Sequence, residues 1–355
     1  SISFKIYPDV RAAFNQFHPF IEELIDWCPD IIHSQCELFT YSFVHRIATK
    51  THAPIVHTYH TMYEHYVRYV LPIGNWSKMV APGMRQRLKT SDVVIAPTRK
   101  VRDSLVQGKV AELIRIIPTG IDLSKFDRKL SHYEKKEILD SLNIPEGARI
   151  FGSVGRLAEE KNYSEILSAM KRLIDNHEEL YLVLTGDGTY RKHLEEEAEE
   201  LGISHRVRFP GMVPVDKVFA YYQILEFFVS ASVSETQGLT YIEALANGLP
   251  VIARRDGAID NVVISDSNGY QYESEKELLL YVERILADAD LLHKLQQGAI
   301  ESRRQFGTEI FGERVYQLYK EILNRDIAPK LEREKLIRKV NQSITYRVKS
   351  SDVGT

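Results

Sequence analysis

The chain has 355 residues, 44% of them hydrophobic, and 46 Lys and Arg against 49 Asp and Glu give a formal net charge of -3. That length supports two domains with separate cores, and the even charge balance argues against nucleic acid as a general partner. The only cysteines, Cys28 and Cys36, set up neither a disulfide framework nor a zinc site, and no apolar run reaches the roughly 20 residues that span a bilayer, so a cytoplasmic protein with no membrane crossing and no secretory leader is expected.

The first half alternates short apolar runs with helical periodicity. Residues 30–33, 54–57, 93–96 and 115–118 read as buried parallel strands, each separated from the next by enough chain for a crossover helix. His57 and His60 form a His-x-x-His, but at a strand end residues three apart point to opposite faces, which argues against shared metal ligation. As an isolated side chain, His60 reads as a packed, hydrogen-bonded histidine. A polar connection follows from Asp127 to Gly147, with a helix predicted from Glu134 to Leu142. The strand pattern then restarts at residues 150–154, 181–184, 207–209, 227–229 and 251–253, which gives a second doubly wound α/β unit. Two such sheets are expected to present the carboxyl ends of their strands to a shared cleft, where open α/β sheets bind ligands. Asp288-Ala289-Asp290 invites a metal reading, but it falls in a predicted surface helix and is assigned to solvent.

The most informative stretch runs from Ser234 to Ile252, directly after the strand Phe227-Phe228-Val229. A small polar loop there contains one glycine, Gly238, which permits close backbone approach, and the helix that follows turns its first N–H groups toward the loop. That geometry suits a phosphate. Glu235 stands in the loop and Glu243 lies one to two turns into the helix, so two carboxylates can flank an anion and accept hydrogen bonds from sugar hydroxyls. Spacing alone favours the plainer reading, a helix start with ordinary acidic decoration.

Residues 234–252 resemble the glutamate-x7-glutamate signature of retaining, nucleotide-sugar-dependent glycosyltransferases of family 4, which have the two-Rossmann GT-B architecture. Val154-Gly155-Arg156-Leu157-Ala158-Glu159-Glu160-Lys161-Asn162 is similar to the first strand-loop of that family's nucleotide domain. Gly186-Asp187-Gly188 is similar to its next strand end, and Phe209-Pro210-Gly211-Met212-Val213 to its base-binding loop. Residues 57–66 and 235–241 look most like bacterial diacylglycerol glucosyltransferases. The family's opening strands and glycine-rich loop have no counterpart here before Ile31, so the N-terminal Rossmann-like domain is expected to be incomplete, the sequence being either a fragment or a naturally shortened protein.

The resemblance implies roles. Arg156 and Lys161, with four residues between them where the family has five, would bind the diphosphate. With the amides around Thr236, Gln237, Gly238 and Leu239 they would stabilise charge on the departing nucleoside diphosphate. Gly155, Gly186, Asp187, Met212 and Val213 complete the implied donor site. Glu235 would orient sugar hydroxyls, Glu243 the ribose, and His60 would contact the donor sugar near the reacting carbon. Retention implies front-face attack by the acceptor hydroxyl, with the departing phosphate oxygen taking its proton and no side-chain nucleophile of the hydrolase kind. No cofactor and no obligate metal are expected. The plain alternative for Arg156 and Lys161, with Glu159 and Glu160 between them, is a solvated charged loop.

On the acceptor side, Tyr63, Tyr66, Tyr69 and Trp76 interleave with Arg68, Lys78, Arg85, Arg87 and Lys89, and Glu64 is the sole acid. Such a mixture suits the headgroup layer of an anionic bilayer, and equally a protein interface or a solvated helix; the resemblance favours the bilayer. Residues 325–349 hold eight Lys or Arg. Family members have a closing helix that crosses back onto the N-terminal domain, so the expected domains are 1–128 with 325–355, and 129–324. The expected enzyme is a hexosyltransferase that moves glucose from UDP-glucose to a membrane lipid, diacylglycerol, at the inner face of the plasma membrane. A different UDP-sugar with another envelope glycan or glycolipid is one alternative, and a non-catalytic protein that binds nucleotide sugar and membrane is another. A nicotinamide dehydrogenase is disfavoured because no strand ends in Gly-x-Gly-x-x-Gly.

Overall fold

Each strand expected from the apolar runs is present in the computed structural model, which describes residues 2–3, 11–12, 15–36, 40–60, 87–110 and 113–324. The backbone separates into two units, 1–118 with 312–355, and 119–311.

In the first unit, β1 (Ile2–Ser3) and β2 (Arg11–Ala12) form a short antiparallel pair. They precede the first expected strand and are too short and polar to leave a periodic signal. Helix α1 (Pro19–Trp27) starts with a proline in its first turn and a His18 cap, and leads to β3 (Ile32–Ser34), α2 (Tyr41–Thr51) and β4 (Ile55–Thr58). After them come β5 (Val93–Ala96), α3 (Arg99–Gln107) and β6 (Ile114–Ile116). Strands β3 to β6 pair in chain order, all parallel. All residues of β4 and β5 are buried, as a parallel strand covered on both faces requires.

The second unit opens with α4 (His132–Ser141), started by a reciprocal capping box between Ser131 and Glu134. Six parallel strands follow: β7 (Arg149–Val154), β8 (Leu180–Thr185), β9 (Val207–Gly211), β10 (Phe227–Ser230), β11 (Val251–Arg254) and β12 (Gly269–Tyr272). Between and after them lie α5 (Tyr163–Leu173), α6 (Arg191–Glu200), α7 (Val218–Gln223), α8 (Leu239–Ala246), α9 (Glu275–Ala287) and α10 (Ala289–Ser302). Strand β12 was not expected, because Gly269 and Gln271 interrupt its apolar run and it lies at the sheet edge. Strand alternation divides the core. Phe151, Leu182, Leu184, Phe227, Val229 and Ile252 join one cluster, with Leu167 and Met170 of α5. Ile150, Val183, Phe228, Val251 and Ala253 join the other, with Tyr241 and Ile242 of α8. The stacked Phe151 and Phe227 rings lie 5.2 Å apart, and burying such a side chain contributes about 1.5–3 kcal/mol.

Helix α11 (Thr308–Leu323) leads the chain out of the second unit and into the first. In the first unit the Tyr319 hydroxyl bonds His33 Nδ1, and Arg115 Nη2 donates to Glu321 Oε1 at 2.6 Å. The basic stretch 325–349 lies outside the described residues. Asp288 is the N-cap of α10, its Oδ1 accepting from the Leu291 N–H at 2.9 Å, so the Asp-x-Asp triplet marks a helix boundary.

Candidate functional site

The sheet order of the second unit is β9-β8-β7-β10-β11-β12, the dinucleotide-fold order 3-2-1-4-5-6 that opens a crevice where the winding reverses. The reversal falls between β7 and β10. The two loops leaving their carboxyl ends are 155–162 and 231–238, the stretches singled out in the sequence.

Those loops meet through charge. Lys161 Nζ lies 2.6 Å from Glu235 Oε1, and both side chains are largely buried. Arg156 pairs with Glu160, whose side chain is also buried. The cations are therefore paired rather than loosely solvated, and a dianionic ligand placed among them would compete with two carboxylates. The first loop is pinned to the next strand end, since the Leu157 N–H donates to the Asp187 carbonyl at 3.0 Å and the Tyr190 N–H to the Leu157 carbonyl at 3.1 Å. Gly186 has to be glycine, because a Cβ there would sit 1.9 Å from the Gly155 carbonyl oxygen. Below the loop, Tyr163 is buried, and burial beside Glu235 pushes its hydroxyl far above the ordinary phenol range.

The second loop is fixed at three points. The Glu235 N–H donates to Asp256 Oδ2 at 3.2 Å. Gln237, predicted as a donor contact, turns its amide to the backbone of Thr119, accepting at 2.9 Å and donating at 2.8 Å. Gly238 is the N-cap of α8 with φ of 73°, and a Cβ would come 2.1 Å from the Tyr241 ring. Tyr241 cannot yield easily, being buried with its hydroxyl 2.8 Å from Ser230 Oγ. No side chain caps α8, and the first-turn N–H groups of a helix have no intrahelical acceptor, so this end suits an anion.

Glu243, just over one turn further along α8, accepts a hydrogen bond from the Tyr222 hydroxyl at 2.7 Å. Burial raises its carboxyl above the ordinary range, an effect partly offset by that bond and by Lys125. Asp187 accepts from the Gly188 N–H at 2.7 Å and from Arg191 Nη1 at 3.2 Å. Gly155 closes β7, its N–H donating to the Thr185 carbonyl at 2.9 Å. Met212 is exposed and Val213 half-buried just after β9, while Thr236 is half-buried and Leu239 exposed at the mouth of α8.

In the first unit, His57 is buried against the Tyr41 ring, whereas His60 is exposed with Nε2 2.7 Å from Gln35 Oε1. Arg87 is half-buried, its charge near the buried His45 and Tyr41. Tyr63, Tyr66, Arg68, Tyr69, Trp76, Lys78 and Arg85 lie outside the described residues. Sequence reasoning missed Asp256, Glu160, Tyr222 and Lys125. Of these only Asp256 left a signal, an acid three residues past a predicted strand at the carboxyl edge of the sheet. Among the described residues no group of three or more His, Cys, Asp and Glu is placed to hold a metal, and no helix is long and apolar enough to cross a membrane.

Fold and site together define an α/β enzyme of the two-domain GT-B class. Residues 134–302 match the family model "Glycosyl transferases group 1", and residues 1–125 match "Glycosyltransferase Family 4". The chain is 36% identical over 327 residues to alpha-monoglucosyldiacylglycerol synthase of Streptococcus pneumoniae, spanning 90% of this chain and 72% of that protein. It is 29% identical to the synthase of the same name from Acholeplasma laidlawii, spanning 84% and 76%. The chain belongs to this glycosyltransferase family and is a hexosyltransferase. The fold is shared with Anabaena HepE in complex with UDP and glucose, with a TM-score of 0.71 and 18% identity over 88% of this chain and 83% of that one. Sucrose-phosphate synthase from Thermosynechococcus elongatus gives 0.69 and 23%, over 90% and 82%.

Proposed function

We propose that the enzyme transfers glucose from UDP-glucose to diacylglycerol with retention of configuration, working at a membrane surface on the cytoplasmic side. The observation that carries the reading is the meeting of Lys161 and Glu235 at the switch point, in a chain with 36% identity to a monoglucosyldiacylglycerol synthase. Arg156 and Lys161 bind the diphosphate once Glu160 and Glu235 give way. Charge then builds on the departing phosphate as the glycosidic bond breaks, and fixed cations with the start of α8 stabilise that charge more than the ground state. Glu235, released from Lys161, accepts hydrogen bonds from the sugar hydroxyls, and Glu243 accepts from the ribose. Gly155, Gly186, Asp187, Met212 and Val213 line the donor site, with Thr236, Gln237, Gly238 and Leu239 forming its phosphate side. His60 enters the scheme on the resemblance alone, as do the aromatic and basic residues of 63–87 as the membrane-facing surface. Two cations and a helix end carry the diphosphate charge, so no metal is required.

The test is mass-spectrometric detection of hexosyl-diacylglycerol after mixing the protein with UDP-glucose and anionic liposomes containing diacylglycerol, with and without EDTA. Product in both arms is expected. Product only with another UDP-hexose or another acceptor would overturn the substrate assignment, and loss of product with EDTA would overturn the metal-free scheme. UDP binding without turnover of any sugar would favour a binding role.

A further inference from the structure

Asp256 lies two residues past β11, at the carboxyl edge of the sheet, and is 6% exposed. Its Oδ2 accepts from the Glu235 N–H at 3.2 Å and its Oδ1 from the Ala258 N–H at 2.8 Å. A buried carboxylate beside a site for a diphosphate carries two costs: it loses hydration, and it repels the ligand. Its contacts supply a compensating purpose. Through Asp256 the backbone at Glu235 is tied to the chain leaving β11, while Lys161 holds the Glu235 carboxylate from the β7 side at 2.6 Å. Glu235 is thus gripped at both ends by neighbours from two different strands. The same bond takes the Glu235 N–H out of the set of amides available to a phosphate.

We infer that Asp256 is a positioning residue for hexosyl transfer, setting the Glu235 carboxylate through the backbone of its loop, a role that rests on the sugar-orienting function proposed for Glu235. Asp256 does not touch the sugar in this scheme. Its removal lets the loop drift, and a displacement on the order of 1 Å costs about 100-fold in rate. Asp256→Asn keeps a carbonyl acceptor for one N–H but turns its own NH2 toward the other, so it should fall between Asp256→Ala and the parent.

The test is a double-mutant cycle on the full chain. Donor hydrolysis and transfer from UDP-glucose are measured alongside UDP affinity and amide exchange of residues 231–238. Asp256→Ala is expected to lower kcat by about 30- to 100-fold with UDP affinity within about threefold, and Asp256→Ala with Glu235→Gln is expected to be no slower than Glu235→Gln alone, within about twofold. Exchange of the 231–238 amides should quicken while β10 and β11 stay protected. Multiplying losses in the cycle, or a joint fall of kcat, UDP affinity and melting temperature, would reduce Asp256 to a general stabiliser and overturn the inference. If the parent turns over no UDP-glucose, the donor assignment fails by itself. The exchange measurement then decides: unchanged protection of 231–238 in Asp256→Ala rejects the anchor.

Discussion

Lys161 Nζ lies 2.6 Å from Glu235 Oε1, so the cation proposed to hold the diphosphate is neutralised by the carboxylate proposed to hold the sugar until a donor arrives. The two residues are 74 positions apart and come together because the sheet reverses between the strands that carry them. The pair keeps each charge satisfied in a half-buried site, where an unpaired ion would cost several kcal/mol.

That pairing separates the effects of two substitutions. Glu235→Gln removes the anion that competes for Lys161, so UDP should bind as tightly as in the parent or more tightly, while kcat falls by about 100-fold, or about 2.7 kcal/mol of transition-state stabilisation. Lys161→Ala removes a diphosphate contact and also releases Glu235, so both quantities should suffer, with UDP Kd rising about 10- to 100-fold. Calorimetric UDP titration and steady-state kinetics on both variants check this. Equal losses of UDP affinity in the two would contradict the assigned roles.

The fold was legible because its strands are short, near-continuous apolar runs separated by helical periodicity, and the order of those runs carries the doubly wound topology. Strand β12 and the β1–β2 pair were not legible, the former because Gly269 and Gln271 dilute it and the latter because two-residue strands have no period. At the site, the residues of the two loops could be named from their resemblance to a family, but their partners could not. Nothing local in the sequence joins Glu235 to Asp256, Gln237 to Thr119, or Glu243 to Tyr222. Those are contacts between segments that only the sheet order brings together. Gln237 shows the difference most clearly, since its amide is spent on the Thr119 backbone.

Tyr222→Phe tests the support under Glu243. The hydroxyl donates at 2.7 Å to a carboxylate whose pKa burial already raises, and a hydrogen bond to a charged group contributes about 1.5–3 kcal/mol. Losing it raises the carboxyl further, so as pH falls Glu243 of the variant protonates before that of the parent, with less capacity to accept from ribose. UDP affinity measured from pH 8 down to pH 5.5 should weaken in the variant at a higher pH than in the parent. Superimposable pH profiles would show that Tyr222 does not tune this group.

Gly238→Ala should cost stability more than chemistry alone explains. A positive φ of 73° is strained for alanine, which costs about 1–2 kcal/mol, and the new methyl would meet the buried Tyr241 ring at 2.1 Å. A total of at least about 2 kcal/mol corresponds to a fall in melting temperature of about 4–8 °C for a unit of this size. A variant that melts with the parent would mean that the loop relaxes without cost.

Two histidines, His45 buried and His33 half-buried, give the first unit an acid limit. Burial holds His33 near a pKa of about 4, assisted by His57 and His60, and burial holds His45 at about 4, assisted by Arg87. Both stay neutral in the folded protein, whereas the unfolded chain protonates them near 6.5. Unfolding therefore takes up protons between these values. Stability from this source is complete above about pH 6.5 and declines as pH falls toward 4, by up to about 1.4 kcal/mol per pH unit for each proton. Urea unfolding between pH 7.5 and 5 should show midpoints dropping with acid, and His33→Gln or His45→Gln should flatten that slope. Their hydroxyl partners, Tyr319 and Thr58 for His33 and Thr90 for His45, can still bond an amide, so each variant should fold. A slope that neither substitution changes would place the acid sensitivity elsewhere.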